Sequence, residues 1–279
     1  MDSEYGEIRE ARLLGVSRCG LPSWRARLDG VAAKIYRCHS PEQARFIDSL
    51  SKLQDVSSYF PEPLARRGSV LAVRWIEGEA WSGEALKRNP LRVRQVARLQ
   101  AALHSRTIEG APGFSYSAFL KRRFSDFQAI WPVTEAYESL TDKLDSEPAA
   151  DVTPRISHPD VTPQNLVQDS FGKLKVIDNE LLSQSSEYHI DLFNTDRVLG
   201  SPGLEAKRRY YLESYMEAGG DLSNLVARAG FFSALWQLRM IGALLQDGLV
   251  APAIDAARRA VTGGSPRHPL IEVAQELLS

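Results

Sequence analysis

The chain has 279 residues, of which 43% are hydrophobic and 25% charged, values typical of a folded globular protein. Its 34 basic and 35 acidic side chains nearly cancel and leave a formal charge of -1. That balance removes the long-range positive field on which non-specific binding to nucleic acid or anionic lipid depends, so we expect a small-molecule partner rather than a nucleic acid or a membrane.

Cysteine content and hydropathy limit the protein class further. Only Cys19 and Cys38 are present, too few for a disulfide framework or a cysteine-rich zinc site. The first ten residues contain no apolar stretch resembling a signal peptide. The longest strongly apolar run, Ala229 to Leu238, is far shorter than the ~20 residues that cross a bilayer. We therefore expect a reduced, cytoplasmic protein; no pattern specifies its oligomeric state.

The hydrophobic pattern changes along the chain and predicts two lobes. The first seventy-odd residues alternate short β-like runs with turns, whereas most of the chain beyond Pro90 repeats apolar residues every three or four positions. The apolar run that ends at Gly78 is typical of an inner strand leading into a linker. We therefore expect an N-terminal lobe over residues 1–77 and a larger, mainly helical lobe over residues 78–279.

A hairpin is predicted around Asp29 and Gly30, which suit the two positive φ angles of a two-residue turn. One face of the paired strands is then wholly apolar and consists of Trp24, Ala26, Leu28, Val31, Ala33 and Ile35. The other face places Arg25 directly opposite Lys34. Two opposed cations repel unless they are solvated or hold an anion between them.

Helix signals dominate the rest of the chain. Ser40 and Asn89 are each followed by proline, the cap and first-turn pattern of a helix start. An apolar stripe of helical spacing is stopped by Pro132 and consists of Leu120, Phe124, Phe127 and Trp131. Asp221 is placed to cap the second of three long helical patterns, which cover residues 204–218, 222–246 and 268–278.

One polar stretch, residues 155–180, interrupts this helical region and carries the candidate chemistry. Two short alternating runs flank residues 169–172 and predict a second hairpin. With a loop of residues 170–173, the register sets Asn165 opposite Asp178. Opposed Cβ atoms in a hairpin lie roughly 5 Å apart, so an amide oxygen and a carboxylate oxygen could converge on one hard cation.

Magnesium suits this pair of oxygen ligands. With one or two protein ligands, Mg²⁺ keeps waters and completes its shell with substrate phosphates, which indicates a metal-nucleotide rather than a caged ion. Asp160 lies five residues before Asn165. A carboxylate at that position, near the metal, could accept a proton from an attacking hydroxyl.

These residues resemble a known family. His158, Asp160 and Asn165 form the pattern H-x-D-x-x-x-x-N, and an I-D pair that ends at Asp178 follows it. Both patterns and their spacing are similar to those of the aminoglycoside phosphotransferase and choline kinase superfamily, the small-molecule branch of the protein-kinase-like fold. Residues 31–34, V-A-A-K, resemble its V-A-x-K strand. The resemblance implies an α+β, bilobal, protein-kinase-like fold, with an antiparallel sheet plus helix in the small N-terminal lobe and a mainly helical C-terminal lobe.

The resemblance also implies roles for individual residues. Asp160 would be the catalytic base, and Asn165 and Asp178 would be the magnesium ligands. The cofactor would be ATP, although a preference for ATP over GTP is not encoded. The nucleotide contacts would come from Lys34 on the α- and β-phosphates, Ala32 over adenine, Val73 as gatekeeper, and the Arg74 carbonyl and Ile76 amide at the hinge.

Two residues near the pattern have supporting roles in such a fold. His158 is expected to brace the catalytic loop rather than to act as an acid or base. Asp191 either bonds the backbone of that loop, as the family's later aspartate does, or is a solvated residue at a helix start. The other four histidines show no metal-ligand spacing and are expected to be ordinary: His39, His104, His189 and His268.

Two parts of the family pattern are altered. The segment from Gly15 to Pro22, in the place of the phosphate loop, has two glycines in these positions but no full glycine-rich signature. The helix glutamate that should pair with Lys34 has no clear counterpart. Glu42 is the substitute that the helix pattern favours, and Asp48 is the rival.

The resemblance implies an ATP-dependent phosphotransferase that moves the γ-phosphoryl group of MgATP to a hydroxyl of a small molecule. An antibiotic, an amine, a sugar or a natural-product intermediate remains possible as acceptor. A protein kinase is disfavoured, because Thr162 stands where such kinases usually carry lysine, and only a short segment separates Asp178 from Asp191. The alternative is a catalytically impaired pseudokinase that acts as a nucleotide-binding interaction module.

Overall fold

The computed structural model describes residues 7–16, 21–125, 132–146, 152–199, 205–263 and 268–279. The strands in these ranges are β1 (Ile8–Val16), β2 (Pro22–Leu28), β3 (Val31–Arg37), β4 (Pro63–Arg67), β5 (Val70–Arg74), β6 (Gly78–Ala80), β7 (Arg155–Ser157), β8 (Leu166–Asp169), β9 (Leu174–Val176) and β10 (Ser183–Ser185). The helices are α1 (Pro41–Leu50), α2 (Gly83–Arg88), α3 (Pro90–His104), α4 (Tyr116–Phe124), α5 (Val133–Ser146), α6 (Ile190–Leu199), α7 (Glu205–Glu217), α8 (Ser223–Ala227), α9 (Ala229–Gln246), α10 (Val250–Val261) and α11 (Pro269–Leu278).

The N-terminal part of the chain forms a five-stranded antiparallel sheet in the order β1-β2-β3-β5-β4. The predicted hairpin register is confirmed, with Arg25 opposite Lys34. Asp29 and Gly30 have φ angles of 50° and 78°, as a two-residue hairpin turn requires. The predicted apolar face is largely buried in a small core of its own, which contains Ala26, Leu28, Ala33, Ile35 and Ala72.

Helix α1 covers the sheet and starts as predicted. The Ser40 side chain accepts a hydrogen bond from the Gln43 amide, and Pro41 occupies the first turn. The buried side of the helix consists of Gln43, Ala44, Phe46, Ile47 and Leu50. That side places α1 between the sheet and the segment after β9, because Gln43 also donates a bond to the Glu180 carbonyl at 2.5 Å.

The C-terminal part is mainly helical, and its buried side chains form the main core. Helix α3 begins after Asn89 as predicted, whose side chain accepts from the Leu91 amide. The pattern over 222–246 divides into α8 and α9 at Arg228, and Asp221 accepts from the Ser223 amide at 2.8 Å. Residues 127 and 131 of the predicted apolar stripe lie outside the described residues. No helix within the described ranges is long and apolar enough to span a membrane.

Gly78 begins β6, where the chain leaves the large sheet for a second, three-stranded sheet in the order β6-β8-β9. A Cβ atom on Gly78 would lie 2.2 Å from the backbone carbonyl oxygen of Gln168, so the close approach of these two strands requires glycine. This position agrees with the predicted linker, and the boundary between residues 77 and 78 stays our prediction for the lobe division.

The second hairpin forms, but its predicted register is wrong by one residue. Leu166 pairs with Val176, and the Ile177 amide donates to the Asn165 carbonyl at 3.0 Å, so Asn165 lies opposite Ile177 and not Asp178. The reason is the turn. Gly172 takes a φ of 76°, and the Asp169 amide donates to the Lys173 carbonyl, which leaves a three-residue loop instead of four.

Two histidines in this part of the fold are buried in the neutral form. Burial lowers the pKa of His189 and of His268 to about 3. His189 donates from Nε2 to the Asp221 carbonyl at 2.7 Å, and its Nδ1 faces the Asn224 amide, so an added proton would meet a donor. The Nδ1 atom of His268 accepts from the Leu270 amide at 3.2 Å.

We expect the free energy of unfolding to fall as the pH drops below about 6.5. In that range the unfolded chain binds a proton at each of these two histidines, whereas in the folded protein both stay neutral down to about pH 3. Each histidine therefore lowers the free energy of unfolding by up to about 1.4 kcal/mol per pH unit as the pH falls through this window. Urea unfolding at pH 7.5 and 5.5 measures the slope. The control is His268→Asn, because asparagine keeps a cap for the Leu270 amide and has no proton to bind. An identical slope in this variant would contradict the assignment.

Candidate active site

The loop of residues 158–162, here called the Asp160 loop, follows β7 and turns tightly at Asp160. The Val161 amide donates to the His158 carbonyl at 3.2 Å, and the Thr162 amide donates to the Asp160 carbonyl at 2.8 Å. A 3₁₀ turn then leads into β8 through Asn165. The Asp160 side chain is half-buried and lines a cleft with a volume of about 860 Å³.

Asn165 lies directly against Asp160. Its Nδ2 atom donates to the Asp160 carboxylate at 2.8 Å and to the Asp160 carbonyl at 2.9 Å. Both bonds use the nitrogen of the amide, so the oxygen of Asn165 is left to accept a donor or to bind a cation. Asp160 and Asn165 thus lie together as expected. The hairpin register that set Asn165 opposite Asp178, and so suggested them as a pair of metal ligands, is not found.

Two side chains of helix α6 form hydrogen bonds with the chain just before Asp160. The Asp191 carboxylate accepts from the His158 amide at 2.6 Å and from the Ser157 hydroxyl at 2.9 Å. Asn194, one turn along the same helix, donates to the Pro159 carbonyl. Asp191 therefore binds the backbone of the Asp160 loop and is fully buried, so it is not a solvated residue at a helix start.

A second layer orients that carboxylate. His104 contacts Asp191 from Nε2 at 3.1 Å and Tyr215 from Nδ1 at 2.9 Å. The carboxylate can only accept, so Nε2 carries a proton and donates to it, while Nδ1 shares a hydrogen bond with the Tyr215 hydroxyl. His158 is also fully buried, and its Nε2 lies 3.2 Å from the Asn179 side-chain oxygen. These contacts fit His158 as a brace of the loop.

Lys34 reaches across from β3 to the segment that follows β9. Its Nζ donates to the Ile177 carbonyl at 2.9 Å and lies 3.8 Å from the Asp178 carboxylate. The opposed cation Arg25 has its own partner, because its guanidinium lies 3.1 Å from Glu77. The repulsion expected between the paired cations is thus relieved by two separate carboxylates.

The predicted pairing of Lys34 with Glu42 is wrong. Glu42 is exposed in the first turn of α1 and accepts from Arg45 of the same helix at 2.8 Å. The rival Asp48 is wrong too, since it pairs with Lys52 and Arg66. Both carboxylates fall outside the buried side of α1, which turns Gln43 and not an acid toward the chain after β9.

The predicted hinge lies at the edge of the same region. Val73 is buried on β5 and pairs with Lys34, and the Trp75 amide donates to the Ala32 carbonyl at 2.8 Å. The segment after Arg74 then crosses to β6 through Ile76. The adenine contacts predicted for Ala32, Val73, Arg74 and Ile76 stay predictions.

A smaller cavity lies beside Lys34 and shares two acidic residues with the cleft. Asp178 and Glu180 line both the main cleft and a smaller cavity of about 240 Å³ beside Lys34 and the facing ends of β1 and β2. Residues 17–20, the centre of the predicted phosphate loop, lie outside the described residues. Glu180 was missed from sequence, although Asp178 and Glu180 are two residues apart, the spacing that points both to one side of an extended chain.

Helices α4 and α9 also line the cleft, although sequence reasoning assigned them no functional role. Tyr116, Arg123 and Arg239 line it, and Arg239 donates from Nε to the Tyr116 hydroxyl at 2.8 Å. Burial raises the pKa of Tyr116, opposed by the charge of Arg239, while Asp160 raises it further. The hydroxyl therefore keeps its proton at neutral pH. A signal was present, because Tyr116 and Arg123 are seven residues apart and share one helix face.

Comparison with solved structures identifies the fold. A macrolide 2′-phosphotransferase from Brachybacterium faecium matches at 17% identity over 93% of each chain, with a TM-score of 0.55. The choline kinase LicA from Streptococcus pneumoniae matches at 12% identity over 92% of this chain and 94% of its own, with a TM-score of 0.65. A spectinomycin phosphotransferase, solved with ADP and spectinomycin, matches at 12% identity over 96% and 93%, with a TM-score of 0.55.

The chain therefore has the bilobal, kinase-like α+β fold. Its fold is that of the aminoglycoside phosphotransferase and choline kinase superfamily, which confirms the predicted resemblance. No protein-family model and no curated protein matches the sequence significantly.

Proposed function

We propose that the protein is an ATP-dependent phosphotransferase that moves the γ-phosphoryl group of MgATP to a hydroxyl of a small molecule. The observation that carries this proposal is the hydrogen-bonded pair of Asp160 and Asn165, which lines one cleft together with Asp178. The Asp178 carboxylate in turn lies 3.8 Å from the Lys34 ammonium group. Fold alone would not support it. Solved proteins of this fold include the choline kinase LicA in complex with AMP and the ADP complex of the spectinomycin phosphotransferase.

The residues present fit a nucleotide-bound magnesium ion. Asp178 offers a carboxylate and Asn165 an amide oxygen, both hard ligands that Mg²⁺ prefers. With these two protein ligands, the ion would take its other ligands from water and from the nucleotide's phosphates. When bound, magnesium neutralises charge on the transferred group and on the leaving phosphate.

Asp160 would act on the acceptor. Asn165 donates a hydrogen bond to one oxygen of the Asp160 carboxylate. Asp191 accepts a bond from the His158 amide, two residues before Asp160, and so fixes the Asp160 loop. Asp160 accepts the proton of the acceptor hydroxyl as that oxygen attacks the γ-phosphorus in line with the leaving group. Lys34 binds the α- and β-phosphates and keeps the nucleotide in register. Positioning and charge neutralisation then suffice, without a covalent enzyme intermediate.

Nucleotide binding and turnover test this proposal separately. We expect calorimetry to show ATP binding that depends on Mg²⁺, and a coupled assay to show ADP release that rises when hydroxyl compounds are added. Binding of MgATP without turnover across a broad acceptor panel would favour the pseudokinase. The altered phosphate loop and the lack of a helix glutamate paired with Lys34 are the sequence features that support this alternative. Absence of Mg²⁺-dependent binding would contradict both the phosphotransferase and the pseudokinase.

A further inference from the structure

Three arginines are among the residues that line the cleft, one each on α4, α6 and α9, and they differ in how they are held. Arg239 is half-buried on α9, with its guanidinium 5.4 Å from the centroid of the Trp236 ring. Arg123 is half-buried at the end of α4 and donates to Gln246 at 2.9 Å. Arg197 reaches the cleft from α6.

Helical spacing sets Arg123 and Arg239 on those faces of α4 and α9 that line the same cleft as Asp160. The cleft residues of α4 recur every three or four positions and are Tyr116, Phe119, Leu120, Arg123 and Phe124. Those of α9 do the same and are Arg239, Ala243 and Gln246. The two helices are tied twice, by Arg239 with Tyr116 and by Arg123 with Gln246, so the wall that they form is held in one arrangement.

The wall formed by α4 and α9 has more basic than acidic lining residues, because Arg123 and Arg239 lie on it and Asp247 stands at the end of α9. The other acidic lining residues are Asp160 and Asp178, which the proposed function uses, and Glu180, two residues after Asp178. The bond to Tyr116 uses one of the five N–H donors of Arg239, and the guanidinium is planar, a shape suited to two oxygens of one anion.

We infer that the phosphoryl acceptor is a hydroxylated organic anion, whose carboxylate or phosphate binds Arg239 and Arg123 while its hydroxyl faces Asp160. This inference rests on the proposed function and specifies its substrate class. A cationic acceptor bound against α4 and α9 would lie beside Arg123 and Arg239, and the like charges would disfavour its binding. The ring faces of Tyr116 and Phe119 supply the apolar part of the same wall.

A matched acceptor panel tests the charge. Glucuronate, glucose 6-phosphate, glucose and glucosamine share one ring and differ in charge, and glycerate, glycerol and serinol do so on three carbons. We expect the anions to give the highest kcat/KM for ADP release, and the carboxylate and phosphate members distinguish the two anion types. A neutral or cationic compound as the best acceptor would overturn the inference and leave the proposed function intact.

Variants test the residues. Arg239→Gln and Arg123→Gln should each lower kcat/KM for the best anion about 10- to 100-fold, because a hydrogen bond to a charged group is lost. Arg239→Lys should recover part of the loss. Arg209→Gln is the control, since Arg209 is a partly exposed arginine of α7 that pairs with Glu276 and is not among the cleft-lining residues. Equal losses in Arg239→Gln for anionic and neutral acceptors would overturn the inference.

Binding of inorganic sulfate decides the matter if no panel member is phosphorylated. The protein is first saturated with the magnesium complex of a non-hydrolysable ATP analogue, so that the phosphate site is filled. We expect sulfate to bind this complex and its affinity to fall about 10-fold in Arg239→Gln. Sulfate binding that is absent, or equal in both proteins, would overturn the inference. Failure of the ATP analogue to bind would instead contradict the proposed function.

Discussion

Asp160→Asn is expected to lower kcat by roughly 10²- to 10⁴-fold while the affinity for MgATP changes little. The introduced amide has nearly the shape of the carboxylate, and its oxygen can still accept the bond from Asn165 that Asp160 accepts at 2.8 Å. What it lacks is a site for the proton of the acceptor hydroxyl. The loss should therefore fall on the transfer step and not on nucleotide binding.

Steady-state ADP release and calorimetry of MgATP binding measure these two quantities. Asp255→Asn serves as the matched control, because Asp255 is an exposed aspartate on α10, in a part of the fold away from the cleft residues. Unchanged turnover in Asp160→Asn would refute its assignment as the base. A loss of MgATP binding equal to the loss of turnover would instead assign Asp160 to the nucleotide site.

Asp178→Ala should abolish the dependence of nucleotide binding on Mg²⁺. Asp178 supplies the one carboxylate assigned to the metal, and Asn165 by itself is a weak, neutral ligand. Lys34 loses its ion partner in this variant but keeps its bond to the Ile177 carbonyl. The fold should persist, because a partly exposed pair at 3.8 Å contributes at most about 1 kcal/mol.

Calorimetric titration of ATP with and without Mg²⁺ gives the result directly, and thermal unfolding shows whether the variant is folded. Asp178→Asn is a milder variant that keeps one oxygen ligand, and its affinity for MgATP should lie between those of the parent and Asp178→Ala. If Asp178→Ala binds MgATP as tightly as the parent protein, the metal assignment is wrong.

The comparison of the two hairpins shows how far local sequence determines register. Asp29 and Gly30 form a two-residue turn, for which the allowed geometries are few, and all predicted pairs about it are found. Around residues 169–172, loops of three or four residues are both compatible with the pattern. The left-handed conformation of Gly172 selects three residues and shifts every pair by one. Turn length, and not the alternating pattern, decided that register.

The predicted site shows the same division. Asp160 and Asn165 are five residues apart, and the tight turn between them brings their side chains together. Lys34 and Asp178 are far apart in sequence, and the resemblance implied a separate role for each without predicting their contact. The predicted partner Glu42 is wrong because α1 turns the adjacent Gln43, about 100° around the helix, to its buried side and leaves Glu42 exposed. No local pattern reports how a helix is rotated about its axis.

By itself, the sequence determined the elements, the first hairpin and the spacing of the catalytic pattern, because backbone preferences and side-chain periodicity act over a few residues. Only the tertiary structure decided which charges meet. Arg239 and Tyr116 are 123 residues apart, and Asp191 reaches the His158 amide across 33 residues. Such contacts depend on how helices pack, and packing sums many weak interactions that no short segment of the chain contains.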